Sequence, residues 1–316
     1  MKRILVTGGT GLVGGAVVRR FLDGGAAVTL ATSTPGVRSR HPALTVVPFD
    51  LGWEAPPQAL LDTLAGCRAV VHAAALLPSG GLLRTPEGAL HLYRLNAVGT
   101  LALMEAACRV GMDAFVFVST INLFGLSAST IDETTAPSPP DVYALSKLAG
   151  EEAAALFDRR GGTAFASLRI SAPYGPRYRI RSVLPLFVEN ALAGRPLRLL
   201  GTGNRSQVFT HVDDIAAACA ACIERRARGV FNVAGPGPVT MRALAETVIA
   251  ALPDRGSRIE WSGDPDPDEG RIRSIDLSRA RAELGFVPAF DVAAGVRALA
   301  DAIAAPPALP YVVAPP

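Results

Sequence analysis

Over the first half of the chain, short apolar runs alternate with longer amphipathic stretches, the spacing that a parallel α/β sheet requires. RILVTG (3–8) predicts a first strand and LVGGAVVRRFLDGG (12–25) the helix after it. AAVTLAT (26–32), LTVVPFD (44–50) and CRAVVHAAA (67–75) predict the next three strands. A helix over 95–111 leads into DAFVFVSTI (113–121), and a helix over 142–160 precedes TAFASLRIS (163–171). The expected fold is α/β, a Rossmann doubly wound parallel sheet with short connections and a smaller C-terminal substrate-binding domain.

After Ser171 the alternation fades and Pro and Gly become frequent. Residues 208–226 and 229–235 read as a helix and strand returning to the first sheet. The helical pattern at 239–254 and the segment 263–290 suggest the smaller domain. The expected division is therefore 1–172 plus 208–234 for the sheet, and 173–316 for the rest. The Pro-rich tail beyond Ala305 is a docked or a disordered end, and its pattern leaves both open.

Composition narrows the function classes. The 316 residues are 49% hydrophobic and only 19% charged, which suits a compact globular protein. A net charge of +3 with scattered Lys and Arg argues against nucleic acid and for a small-molecule partner. The apolar run after Lys2-Arg3 breaks at Thr7-Gly8-Gly9, too short for a signal peptide, and no run is long enough to span a membrane. A cytoplasmic protein is expected. Four cysteines make no disulfide framework, and Cys219 and Cys222, inside IAAACAACIE, read as core helix residues and not as a metal or redox pair.

Thr7-Gly-Gly-Thr-Gly-Leu-Val-Gly14 joins the first strand to its helix. Gly8 permits a tight turn, Gly11 lets backbone approach a pyrophosphate, and Gly14 lets helix and strand pack closely. The helix start at Leu12 and Val13 then offers free N–H groups and a partial positive charge. This context predicts dinucleotide binding. The end of the second strand is Thr32-Ser33-Thr34, with no acid for a ribose 2′-hydroxyl, and Arg38 and Arg40 follow. Arg38 is a partner for an extra phosphate or a solvated loop residue. The cofactor is NAD or NADP, and the missing acid tilts the reading to NADP. Asp50-Leu51 could meet the adenine end, with a surface turn as the rival reading for Asp50.

Tyr143 and Lys147 are four apart on a predicted helix and share a face. A phenol with pKa about 10 is a poor acid or base near neutrality, and a neighbouring ammonium would lower it.

With these residues in view the chain resembles the extended short-chain dehydrogenase/reductase, or NAD-dependent epimerase/dehydratase, family. The matching motifs are TGGTGLVG, HAAA (72–75), NAVGT (96–100), VSTINLFG (118–125), YALSK (143–147), LRISAPYGP (168–176), HVDDIA (211–216) and RIRSIDLSRARAELGFVP, in family order. The resemblance implies that Tyr143 exchanges a proton with substrate and that Lys147 tunes it and bonds the nicotinamide ribose. It implies that Thr120 bonds the same substrate oxygen, that Ala73 and Ala74 line the cofactor, and that Pro173 lies near the nicotinamide. Asn96 would brace the helix and strand beside the site, and His72 reads as a structural strand-end residue. A homodimer through two helices is also implied.

Relatives that eliminate water or carbon dioxide carry acids just after the Thr, where this chain has Ile121 and Asn122. An amide cannot replace the acid/base that elimination needs. The remaining readings are a nucleotide-sugar epimerase, with Asn122 as a substrate contact, or an NADPH-dependent ketoreductase of a keto-sugar or other carbonyl compound. The resemblance implies a diphosphate clamp at Gln207, with Arg205 displaced by two, and at Arg271, whose rival reading is an ion pair with the acidic run 264–269. Ala172 stands where the family has Asn. The loop 76–88, with Arg84, and the cluster Tyr174, Arg177, Tyr178 and Arg179 are further candidates to face substrate.

Overall fold

The computed structural model describes residues 3–53, 57–78, 81–125, 130–176, 182–270 and 274–313. The first strands are β1 (Arg3–Thr7), β2 (Val28–Thr32), β3 (Val37–Ser39), β4 (Leu44–Pro48), β5 (Cys67–His72) and β6 (Ala114–Thr120). The helices are α1 (Leu12–Asp23), α2 (Gln58–Ala65), α3 (Pro86–Tyr93), α4 (Gly99–Arg109), α5 (Val142–Arg159), α6 (Val183–Leu192), α7 (Val212–Arg225), α8 (Met241–Ala251) and α9 (Val292–Ala304).

A seven-stranded sheet runs in the order Gly229–Val233, Ala164–Ile170, β6, β5, β1, β2, β4. Every pairing in it is parallel. Its strands are apolar on both faces because helices cover both. Ile4, Val6, Leu30, Val71 and Val116 face α1 and α7, whose Val17, Ile215 and Cys219 complete one core. Leu5, Ala31, Val70, Phe115 and Phe117 face the other way, onto Leu64 of α2, Leu103 of α4 and Phe157 of α5. Alternating residues of one strand thus belong to different cores, the period of two that a pleated strand imposes. Cys219 and Cys222 are fully buried in α7, as expected of core residues.

A third core joins α6, α8 and α9 through Leu184, Phe187, Leu244, Val248, Val296 and Leu299. The helix predicted over 95–111 begins with a wide π turn at Arg94–Val98, and α4 continues it. The loop predicted over 76–88 already contains the start of α3, capped where the Thr85 hydroxyl accepts from Gly88 N–H at 3.1 Å. The tail is docked: Tyr311–Val313 forms an antiparallel pair with β3.

Candidate active site

The turn after β1 is built by close backbone packing. Gly8 has φ +67°, and a Cβ there would lie 2.7 Å from the Ala74 nitrogen. A Cβ on Gly14 would lie 2.3 Å from the Gly8 carbonyl oxygen, so α1 starts directly against the turn. Gly11 N–H donates to the Gly8 carbonyl at 2.9 Å and stands at the N-cap of α1, where no side chain caps the first N–H groups, at Leu12 and Val13. A backbone cradle opening onto a helix start suits a pyrophosphate.

At the end of β2 three hydroxyls gather where an acid would usually stand. Thr10 Oγ1 is 3.5 Å from Thr32 Oγ1 and 3.3 Å from Thr34 Oγ1, and Thr34 N–H donates to Thr32 Oγ1. Arg38 lies on β3 with its side chain exposed. The Asp50 carboxylate accepts from Gly52 N–H at 2.8 Å in an exposed turn after β4. Leu51 seats its carbonyl against Gly99, where a Cβ would come within 2.2 Å.

The end of β5 is held by a directed chain of hydrogen bonds. Thr100 Oγ1 donates its only proton to the Asn96 carbonyl at 2.5 Å, so His72 Nε2 must donate to Thr100 Oγ1 at 2.9 Å. The Nδ1 atom is therefore the acceptor, and Thr7 Oγ1 donates to it at 2.6 Å while accepting from Ala74 N–H at 3.2 Å. His72 is fully buried, and burial, with the Lys147 charge second, pushes its pKa from 6.5 down to about 3. It is a neutral strut at the end of the strand. Asn96 holds Leu76 by both backbone groups, accepting at Oδ1 from its N–H at 2.7 Å and donating from Nδ2 to its carbonyl at 2.9 Å. These bonds fix the backbone of Ala73 and Ala74 against the glycine turn.

Thr120 ends β6, and its hydroxyl accepts from Asn122 N–H at 3.1 Å. Ile121 turns into an apolar cluster with Leu123, Phe124, Ile131 and Ala144, while Asn122 is exposed. Tyr143 opens α5, whose N-cap Asp141 accepts from Ala144 N–H at 2.7 Å. Helix α5 lies close on β6 because Gly150 leaves room: a Cβ there would meet the Phe117 ring at 2.5 Å. Lys147 is buried with its ammonium 4.3 Å from the centre of that ring, and His72 stacks on the same ring at 5.8 Å.

The protonation states differ from the expectation of a lowered phenol. Burial, and then the Asp141 charge, push Tyr143 up to about 12. Burial pushes Lys147 down to about 7, partly offset by Glu151. Both shifts share their largest cause, burial, which disfavours either charged form. Glu151, one turn beyond Lys147 on the same face, was missed at the sequence level although its i+4 spacing marks it. Its carboxylate accepts from Arg169 at 2.8 Å and from Ser119 Oγ at 2.5 Å, and both charged side chains are buried.

On the substrate side the candidates scatter. Tyr174 is a core residue, 2% exposed, with its ring edge-on to Phe209 and His211 and its hydroxyl where a Cβ on Gly295 would fall. That corrects its assignment to the cleft. Arg205 is engaged with buried Asp266 at 2.9 Å. Gln207 is half-buried and pairs in register with Val239. Pro173 pairs with Thr210 in a two-residue strand beside the sheet edge. Arg177, Tyr178, Arg179 and Arg271 lie outside the described residues.

Residues 4–234, from the first strand to the strand at the sheet edge, match the family model described as the NAD dependent epimerase/dehydratase family. The chain belongs to that family. It is thus an enzyme of the extended short-chain dehydrogenase/reductase class, whose members here are NAD-dependent epimerases and dehydratases. Among its relatives is a dTDP-glucose 4,6-dehydratase of Streptomyces niveus, 30% identical over 307 residues that cover 93% of this chain and 90% of the relative. Two solved family members extend the likeness over nearly the whole chain. The Thermus thermophilus UDP-glucose 4-epimerase in complex with NAD is 25% identical, with TM-score 0.80 over 96% of this chain and 99% of that one. MoeE5 in complex with UDP-glucose and NAD is 26% identical, with TM-score 0.79 over 95% and 97%. Both carry NAD, and nothing in these comparisons supports the tilt to NADP. Among the described residues no helix is long and apolar enough to cross a membrane.

Proposed function

We propose that this family member is a nucleotide-sugar epimerase that uses NAD and transfers hydride away from and back to one sugar carbon. The observation that carries the reading is the path of the chain after Thr120. It turns at once into apolar Ile121, packed beside Ala144 of α5, and then Asn122, so neither position offers a carboxylate for elimination.

The cofactor's fit is supported by the Gly8–Gly14 cradle and by the hydroxyls of Thr10, Thr32 and Thr34, which suit a ribose better than a phosphate. When bound, the dinucleotide supplies the hydride acceptor and the positive charge of its oxidised ring. Tyr143 takes the proton of the substrate hydroxyl and later returns it, and Thr120 orients the same oxygen. Lys147, poised near neutrality, is protonated or not according to the charge beside it, so it can hold a ribose hydroxyl and steady the phenolate. Ala73, Ala74 and Pro173 are assigned to the walls around the nicotinamide. The α6, α8 and α9 core, with Gln207 and Arg271, is assigned to the sugar nucleotide. A second copy is assigned to the α4–α5 face, where Val98, Leu101, Leu145 and Leu156 stand exposed.

The test is to offer UDP-glucose and dTDP-glucose with NAD and follow the sugars by NMR. An epimerised hexose with no net change in NADH is expected. A 4-keto-6-deoxy sugar would show that elimination runs without the acids, and would overturn the reading. Turnover only with NADPH and a keto substrate would establish the ketoreductase in its place. Tyr143→Phe should keep NAD binding and lose turnover.

A further inference from the structure

The segment beyond α9 is rich in proline and makes contacts that the family reading does not use. Pro306, Pro307 and Pro310 limit the conformations open to the link, so its docking costs less chain entropy. Leu309 packs against the core of the sheet. Pro310 accepts from Arg40 N–H at 2.8 Å. Tyr311, Val312 and Val313 then pair antiparallel with Ser39, Arg38 and Val37. The Tyr311 side chain runs inward, 2% exposed, and its hydroxyl donates to the carbonyl of Gly9 at 3.1 Å.

These contacts converge on one end of the cofactor site. Gly9 lies inside the phosphate-binding turn, between Gly8 and Thr10. Its position leaves no spare room, since a Cβ there would meet Leu30 at 2.2 Å and Val18 at 2.9 Å. A buried carbonyl without a donor costs stability, so the Tyr311 hydroxyl fixes the orientation of this peptide. Residues 33–40 follow β2, the place where this fold reads the adenosine ribose. Left alone, β3 would be a three-residue strand with no ladder partner among the described residues, and such short strands are marginal in water.

We propose that residues 305–313 are a strap belonging to the dinucleotide site, with Tyr311 as the positioning residue that sets the phosphate turn and the terminal strand holding the ribose-reading loop. The strap continues α9, so the core that carries the sugar side is tethered by six residues, Ala305 to Pro310, to the loop that holds the adenosine half. The ligand it serves is the adenosine diphosphate portion of the cofactor. The inference rests on the dinucleotide reading of Gly8–Gly14.

The experiment compares the full chain with Tyr311→Phe and with a chain ending at Ala305, all freed of bound nucleotide. Affinities for NAD, ADP-ribose and UDP are read by calorimetry, and melting temperatures alongside. Tyr311→Phe is expected to weaken NAD and ADP-ribose alike, by roughly threefold to tenfold, the range of one hydrogen bond. The truncated chain should lose more than about tenfold, and UDP affinity should hold in both. Should truncation prevent folding, the Phe variant alone decides. A lower melting temperature with unchanged NAD affinity would make the strap a structural prop and overturn the proposal. An equal loss for UDP would overturn it as well. A full chain that binds neither NAD nor ADP-ribose would sink the dinucleotide reading itself, and the strap with it.

Discussion

Lowering the pH should destabilise this protein through His72 well before most carboxylates protonate. The folded state holds the imidazole neutral, with Thr7 donating to Nδ1 and Nε2 donating to Thr100. Its pKa falls from 6.5 to about 3 on folding. A depressed folded pKa means that the unfolded chain binds the proton first, so stability is whole above pH 6.5 and is lost as pH falls toward 3. At 1.36 kcal/mol per unit the full loss is about 5 kcal/mol, and about 2 kcal/mol of it is gone by pH 5. No discount for solvent screening applies, because the ring is 0% exposed. The control is His72→Gln, whose amide NH2 can still donate to Thr100 but whose oxygen cannot then take the Nδ1 position facing Thr7. At pH 7.5 that variant should be less stable by ~1–3 kcal/mol, the cost of a buried polar group left unpaired. Urea unfolding of both proteins at pH 7.5, 6.5, 5.5 and 5.0 is the assay. His211, also held below its ordinary range by burial, contributes equally to both and cancels. The wild-type curve should converge on the variant's as pH falls; parallel curves would refute the neutral strut.

Other outcomes follow from single contacts. Gly14→Ala forces a Cβ to 2.3 Å from the Gly8 carbonyl, so NAD affinity measured by fluorescence quenching should fall by more than about tenfold, and retention would unseat the cradle. Glu151→Gln leaves the buried Arg169 guanidinium without its counter-ion, and should cost ~3–5 kcal/mol in urea unfolding. It also removes the charge that raises the Lys147 pKa, so the alkaline limb of turnover, where the ammonium that steadies the phenolate is lost, should shift to lower pH; an unmoved limb would disconnect Glu151 from Lys147. If the α4–α5 face takes a second copy as proposed, the parent should sediment as a dimer and Leu101→Glu combined with Leu145→Glu, which places charge on that face, as a monomer; a parent that sediments as a monomer would overturn the assignment.

What the sequence discloses and what it hides divide along one physical line. Local pattern carries the sheet strands and the first turn, because burial on both faces writes uninterrupted apolar runs and a backbone cradle demands glycine. The Tyr143–Lys147 spacing is legible for the same reason, since helix periodicity places the two on one face. The π turn at Arg94–Val98 is not legible, because it stands beside the tertiary bonds of Asn96 to Leu76 and of His72 to Thr100. The upward shift of Tyr143 is equally invisible, since it depends on how dry the helix start becomes after α5 packs on Phe117. Tyr174 was misplaced because an aromatic next to a glycine at a domain boundary looks the same whether it faces a cleft or fills a core. Only the position of Gly295 on α9 tells the two apart.

The bond between Tyr311 and Gly9 joins residues 302 apart in sequence. A chain emerging from its N-terminus therefore presents the phosphate turn long before the strand that braces it can arrive, and contacts of such separation form late because loop closure must come first. Capture of NAD should then trail the recovery of helix and sheet signal during refolding, with the cofactor sealing an assembled molecule and not seeding it.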